Sequence, residues 1–184
     1  MTLLKVALFV LVTIILAYLS RASLRAPHSH GFYRFFAWEA ILALVLLNID
    51  RWFLDPFSWR QILSWCLLLV SLYLVIEGVR LLRQIGRPDP GRADAPLVGF
   101  EKTSTLVTVG LYRYIRHPLY SSLLFLAAGV FFKDPSWPGG LLALAAGLFL
   151  LLTARIEEDE NIRFFGAAYQ EYMRRSKMFI PFLL

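Results

Sequence analysis

The chain has 184 residues, 58% of them hydrophobic and only 17% charged, with a formal net charge of +6. Average soluble domains carry about 45–50% apolar and about 25% charged residues, so an ordinary water-soluble globule is excluded. The basic residues stand between and after apolar blocks, not in polar Lys/Arg-rich runs, so membrane lipids with anionic headgroups are the expected partner and nucleic acid is not.

Five apolar segments follow in chain order, at 3–20, 32–49, 62–82, 119–132 and 138–154. A bilayer crossing needs about 20 apolar helical residues. The first segment has about that length, no clear small-x-small cleavage site follows it, and further spans come after. It reads as a retained helix, not a signal peptide. Cys66, the single cysteine, lies in the third segment and reads as a small buried apolar residue. Between the third and fourth segments runs one long connection, Arg83 to Arg116, broken by Gly86, Pro88, Pro90, Gly91, Pro96 and Gly99. Connections this long without structure of their own are usually functional or disordered. The short fourth segment meets the fifth through Lys133-Asp134-Pro135-Ser136, which predicts a tight antiparallel hairpin. After Ala154 the pattern changes: Ile162, Phe165, Tyr169 and Tyr172 recur at helical spacing, with polar residues opposite them.

The expected architecture is therefore a single all-α domain over 1–184, a polytopic membrane protein with about five transmembrane helices plus a cytoplasmic amphipathic C-terminal helix. Lys and Arg set its orientation. Fifteen of them fall on the side of the long connection and the C-terminus, and four (Lys5, Arg51, Arg60 and Lys133) on the other. That split puts the N-terminus outside and the C-terminus in the cytoplasm, in a cell membrane or, in a eukaryote, the endoplasmic reticulum.

Little chain remains for chemistry outside the spans. The densest polar cluster is Gly110-Leu111-Tyr112-Arg113-Tyr114-Ile115-Arg116-His117-Pro118-Leu119-Tyr120. Pro118 suits the first turn of a helix, whose free N–H groups could receive a carboxylate; an interfacial belt of Tyr and Arg explains the same residues equally well. The second cluster is Arg155-Ile156-Glu157-Glu158-Asp159-Glu160. It suits either the acidic first turn of a C-terminal helix or a site for a cationic ligand. Within the apolar segments lie Glu39, without an obvious partner, and Glu77 and Arg80, spaced to pair along one helix face. His28, His30 and His117 are the only histidines, and no metal-ligand set is apparent. There is no GxGxxG, Walker loop or GxSxG elbow.

Together the two clusters resemble the isoprenylcysteine carboxyl methyltransferase and phospholipid methyltransferase superfamily. One matching stretch is Leu106-Val107-Thr108-Val109-Gly110-Leu111-Tyr112 leading into Arg116-His117-Pro118-Leu119-Tyr120. The other is Glu157-Glu158, then Phe165-Gly166, Tyr169 and Tyr172, ending near Pro181. The likeness covers roughly 103–181, and the first three spans only in general character. It implies S-adenosyl-L-methionine as methyl donor, held without a Rossmann domain between the last spans and the C-terminal segment. Leu106, Val107, Tyr112, Arg116, His117, Pro118, Tyr120 and Glu157 would bind it. Arg155 and Glu158 would face the reacting centre, although the run Glu157–Glu160 allows more than one register. The implied acceptor is lipid-like and enters from the bilayer: the carboxylate of an isoprenylcysteine-type substrate first, or the amine of phosphatidylethanolamine.

A carboxylate near the donor suits a sulfonium cation. Helical spacing from Ile162 and Phe165 nominates Glu158 as the inward member of the pair and leaves Glu157 at the edge of the stripe. Sterol-type reductases, which use a nicotinamide cofactor, carry a similar Arg-His-x-x-Tyr segment, but Pro118 and Ser121-Ser122 depart from it. A non-enzymatic scaffold would need neither the polar loop nor the Glu pair.

Overall fold

The computed structural model describes residues 2–87 and 102–181. Pro88, Pro90, Gly91, Arg92, Pro96 and Gly99, which carry much of the reading of the long connection, lie outside the described residues. Within them the chain forms helices α1 (Leu3–Leu19), α2 (Arg21–Leu24), α3 (His30–Asn48), α4 (Trp59–Ile85), α5 (Pro118–Phe131), α6 (Trp137–Phe165) and α7 (Ala167–Arg175), plus two single tight turns, Ile49–Arg51 and Gly110–Arg113. No strand occurs among the described residues; one isolated bridge joins Ile115 to Lys177.

The helix starts follow their sequence signals. Ser58 caps α4 by accepting the Gln61 N–H, and Ser136 caps α6 by accepting from Gly139. Pro118 stands in the first turn of α5, where its missing N–H leaves no bond unmade. Three helices are long and apolar enough to cross a bilayer, His30–Arg51, Trp59–Ile85 and Trp137–Phe165, and the apolar helices α1 and α5 are shorter. The chain is thus an all-α, polytopic membrane protein.

Packing runs mainly in two pairs, α3 along α6 and α4 along α5, with α5 also meeting α6. In lipid the hydrophobic effect does not drive helices together, so small residues and interhelical hydrogen bonds must. The α4–α5 seam has both. A Cβ on Gly129 would come within 2.9 Å of Leu68, and one on Gly78 within 2.9 Å of Leu119. Ser64 donates to the Gly129 carbonyl and Ser71 to that of Ser122, each at 2.7 Å. Leu44, Val130, Ala146 and Leu150 are fully buried between the pairs. Leu69, Leu72 and Ile76 on α4, and Leu141, Leu144 and Leu148 on α6, are exposed at helical spacing and suit contact with lipid. Cys66 belongs to that outward surface, not to the buried interior expected of it.

The ionisable residues inside the apolar segments find partners. Glu77 and Arg80 pair through two hydrogen bonds, 2.8 and 2.7 Å. Thr13 donates to Glu39 at 2.6 Å and joins α1, which has no buried residue of its own, to α3. The turn between α5 and α6 is tight, as its composition predicts, and Lys133 folds into it. Its Nζ donates to Gln61 at 2.9 Å and sits 3.5 Å above the Trp65 ring; burial pushes the ammonium below its usual pKa.

At the other end of the molecule the structure corrects one boundary. The fifth apolar segment and the acidic run form one continuous helix, α6, which ends at Phe165. Gly166, with φ +62° and ψ −138°, breaks it, and the amphipathic C-terminal helix is the nine-residue α7, with Tyr169 and Tyr172 buried. Glu157–Glu160 therefore lie inside a helix rather than at the start of one, so a helix dipole does not account for them.

Candidate functional site

Where α4, α5, α6 and α7 come together at one end of the bundle, they enclose a cavity of about 640 Å³, counting the space open to solvent. Each wall has a local cause. Leu82, near the end of α4, and the returning segment Thr103, Leu106 and Val107 form one side. Ser104 and Thr105 donate backbone bonds to the Gly86 carbonyl and hold that segment against α4. Gly110, at φ +59°, turns the chain so that Tyr112 packs with Leu81 and Val107. Arg116, His117, Pro118, Leu119 and Tyr120 line the start of α5. Glu157, Asn161 and Phe165 line α6, and Tyr169 and Tyr172 line α7.

The segment after α7 staples this end together. It runs beside the approach to α5: Lys177 donates its N–H to the Tyr114 carbonyl at 2.9 Å, and Arg116 and His117 donate theirs to Lys177 and Met178 at 2.7 and 3.1 Å. Ser121 donates to the Phe179 carbonyl at 2.7 Å, and Phe179 packs against the His117 ring. Tyr172 donates to the Tyr112 carbonyl at 2.6 Å. Burial pushes both α7 phenols well above their usual pKa; at Tyr169 the charges of Glu157 and Glu158 add to it. These hydroxyls remain protonated donors throughout the neutral range.

The charges divide in a definite way. Arg116 Nε donates to Glu158 Oε1 at 2.6 Å, and its Nη1 donates to the carbonyls of Met173 and Ser176 at 3.3 and 2.5 Å. His117 stands between the two carboxylates, with Nε2 3.4 Å from Glu158 and Nδ1 3.8 Å from Glu157. Glu158 is thus buried and neutralised by Arg116, and it lies behind the cavity wall. Glu157 lines the cavity, and the arginine that lines it too, Arg116, is bonded to Glu158 and to backbone carbonyls. A cavity with a carboxylate, aromatic rings from Tyr112, Tyr120, Phe165 and Tyr169, and apolar side chains suits a ligand that carries a positive charge on a largely hydrophobic and aromatic frame.

All eight residues assigned to donor binding, Leu106, Val107, Tyr112, Arg116, His117, Pro118, Tyr120 and Glu157, line this one cavity. The two assigned to the reacting centre do not. Glu158 is turned inward, as the stripe spacing has it, but onto Arg116 and His117. Arg155 is exposed and absent from the lining. Leu82, Thr103 and Asn161 are lining residues that nothing in their local sequence marked, and Leu119 lay in the matching stretch without a role assigned to it. Phe165, Tyr169 and Tyr172 had been marked only as an apolar stripe and a likeness. His30, at the start of α3, is fully buried and bonded to Glu160.

A phospholipid methyltransferase family model matches residues 59–168, from the start of α4 into α7. The chain is 43% identical over 73 residues to methanethiol S-methyltransferase 2 of Bradyrhizobium diazoefficiens, covering 39% of this chain and 27% of that protein. It is 30% identical over 125 residues to the probable protein-S-isoprenylcysteine O-methyltransferase of Oryza sativa subsp. indica, covering 65% and 63%. To the protein-S-isoprenylcysteine O-methyltransferase of Rattus norvegicus it is 32% identical over 136 residues, covering 71% and 47%. The chain spans less than two thirds of the length of these curated relatives. No solved structure matches it significantly. The family match covers more than half of the chain and contains α4, the start of α5 and the acidic end of α6, so the chain belongs to the phospholipid methyltransferase family.

Proposed function

We propose that this chain transfers a methyl group from S-adenosyl-L-methionine to a lipid-like acceptor at the cavity between α4, α5, α6 and α7. The observation that carries the reading is Glu157, a cavity-lining carboxylate: its neighbour Glu158 is paired with Arg116, whereas among the described residues Glu157 is bonded to no arginine. S-adenosylmethionine supplies a methyl group on a sulfonium centre, a cation whose removal from water a nearby carboxylate offsets. Around it, Tyr112, Tyr120 and Phe165 offer rings for stacking, and Leu106 and Val107 an apolar floor. Arg116 in the wall and Glu158 behind it tie the start of α5, α6 and the C-terminal segment into one frame. Methyl transfer is an in-line displacement, so a rigid frame that aligns acceptor, methyl and sulfur accounts for most of what the protein must provide.

For an isoprenylcysteine-type acceptor, the carboxylate oxygen forms the new bond to the methyl carbon as the carbon–sulfur bond breaks, and the bonding pair stays on sulfur. No proton moves. A second reading, a thiol acceptor, is supported by the 43% identity over 73 residues to a methanethiol S-methyltransferase, and Glu157 would then take the thiol proton. The excess of basic residues on the side of the long connection supports a cytoplasmic cavity and a topology of five spans.

Calorimetric titration of the purified chain with S-adenosylhomocysteine tests the donor. We expect saturable binding, weakened at least about tenfold in His117→Ala, whose ring packs against Tyr120 and separates the two carboxylates. Unchanged affinity in a folded His117→Ala protein removes His117 from the site, and absence of binding in the parent chain removes the donor. Labelled S-adenosylmethionine, offered with an S-farnesylated cysteine analogue, with methanethiol and with phosphatidylethanolamine vesicles, then separates the acceptors.

A further inference from the structure

Glu160 reaches away from the cavity, to the first residue of α3. One carboxylate oxygen accepts the His30 backbone N–H at 3.2 Å, and the other lies 2.5 Å from His30 Nδ1. The imidazole is fully buried, and Glu160 is nearly so. Ser29, which by position could cap α3, instead donates to the Ala26 carbonyl, so the capping carboxylate comes from α6, 130 residues away. Helix geometry gives this contact a bearing on the site. Measured from Glu157 at about 100° per residue, Asn161 lies about 40° and Phe165 about 80° round in one direction, with Glu158 just beyond at about 100°. Glu160 lies about 60° round in the other direction. The arc that lines the cavity, Glu157, Asn161 and Phe165, is therefore bracketed by two anchored carboxylates. Glu158 is fixed to α5 through Arg116 and His117, and Glu160 is fixed to α3 through His30.

We infer that His30 is a positioning residue for the methyl donor: through Glu160 it sets the rotation of α6 about its own axis that presents Glu157 to the cavity. The inference rests on the donor reading above. One anchor alone would let the end of α6 roll about the Glu158–Arg116 contact; the second removes that freedom. The hydrogen bonds of His30 described here run to Glu160, and its Nε2 is buried without a hydrogen-bond partner among the described residues. A side chain that keeps only the Nδ1 donor should therefore do its work.

The test compares two ligands that differ mainly in charge. S-adenosylmethionine carries the sulfonium and S-adenosylhomocysteine the neutral thioether, and both are titrated calorimetrically into the purified full chain. We expect the parent chain to prefer the sulfonium by roughly tenfold, the scale of one partly screened charge pair. In His30→Ala that preference should fall at least about threefold while the homocysteine product still binds. His30→Asn, whose amide stands where Nδ1 stands, should restore it. A loss of overall stability would weaken both ligands together and leave the ratio alone. If His30→Ala does not fold, Glu160→Gln, which keeps shape and weakens the bond, must show the same fall. A parent-like ratio in any folded variant that lacks the contact overturns the inference while the donor reading stands. Equal affinity of the parent chain for both ligands also overturns it. A parent chain that binds neither ligand overturns the donor reading and the inference with it.

Discussion

Glu157 and Glu158 are neighbours in sequence with opposite surroundings, and the difference decides what each substitution does. Glu158 and Arg116 are both buried and bonded at 2.6 Å. Removing one member of such a pair strands the other charge, which typically costs about 3–5 kcal/mol. Glu157 is half-buried, and its ion pair among the described residues is the long one to His117 Nδ1, at 3.8 Å. Glu158→Gln should therefore lower thermal stability in detergent by about 3 kcal/mol or more. Glu157→Gln should change stability by less than about 1 kcal/mol but weaken S-adenosylmethionine about tenfold, with little effect on S-adenosylhomocysteine. Unfolding curves and titrations on the two variants measure both quantities. The proposed division of roles fails if Glu158→Gln melts like the parent chain and Glu157→Gln keeps its preference for the sulfonium. Sequence spacing had marked Glu158 as the inward residue, and it is; what spacing does not reveal is whether the inward direction leads to an open cavity or to an arginine. That depends on Arg116, 42 residues earlier, and only the folded chain brings the two together.

At the level of the helices, the start of α5 and the end of α6 contrast instructively. Pro118 marks a first turn by its chemistry, and α5 begins there. Nothing comparable marks the middle of α6. The change from Ala154 to Arg155 and the acids looks like a boundary because polarity changes, but Arg and Glu are good helix formers and the backbone continues. Polarity there reports the edge of the bilayer, not the end of the helix. The true end is Gly166, whose backbone angles only glycine adopts readily. A Cβ at Gly166 would meet nothing within 4 Å, so the cost of Gly166→Ala is conformational and not steric. That substitution should destabilise the protein by about 1–3 kcal/mol and weaken S-adenosylhomocysteine, because α7 carries Tyr169 and Tyr172 into the cavity wall. Thermal unfolding and titration check it, and a variant as stable as the parent shows that the α6–α7 corner is not strained. The His30–Glu160 contact was illegible for a further reason: the two residues sit in unrelated local patterns, and neither pattern names a partner.

For the molecule as a whole, the five apolar segments and the all-helical fold were readable, since a bilayer imposes both a length and a closed set of backbone hydrogen bonds. Orientation rests on Lys and Arg alone and is open to direct measurement. In a Cys66→Ser background, a cysteine at Asp134 should react with an impermeant reagent in intact cells, and one at Arg174 only after permeabilisation. Asp134 lies in the turn between α5 and α6, and the Arg174 side chain is exposed at the opposite end. The reverse labelling pattern inverts the molecule and places the cavity outside the cytoplasm.

The stapling of the last described residues beside α5 also bears on the order of events during synthesis. Chains emerge N-terminus first, and the apolar helices can enter the bilayer as they appear. The partners of Arg116 and His117 do not yet exist at that stage: Glu157 and Glu158 arrive with the end of α6, and the carbonyls of Met173, Ser176, Lys177 and Met178 follow. The cavity wall is therefore completed late, when the segment after α7 folds back along a stretch made some sixty residues earlier.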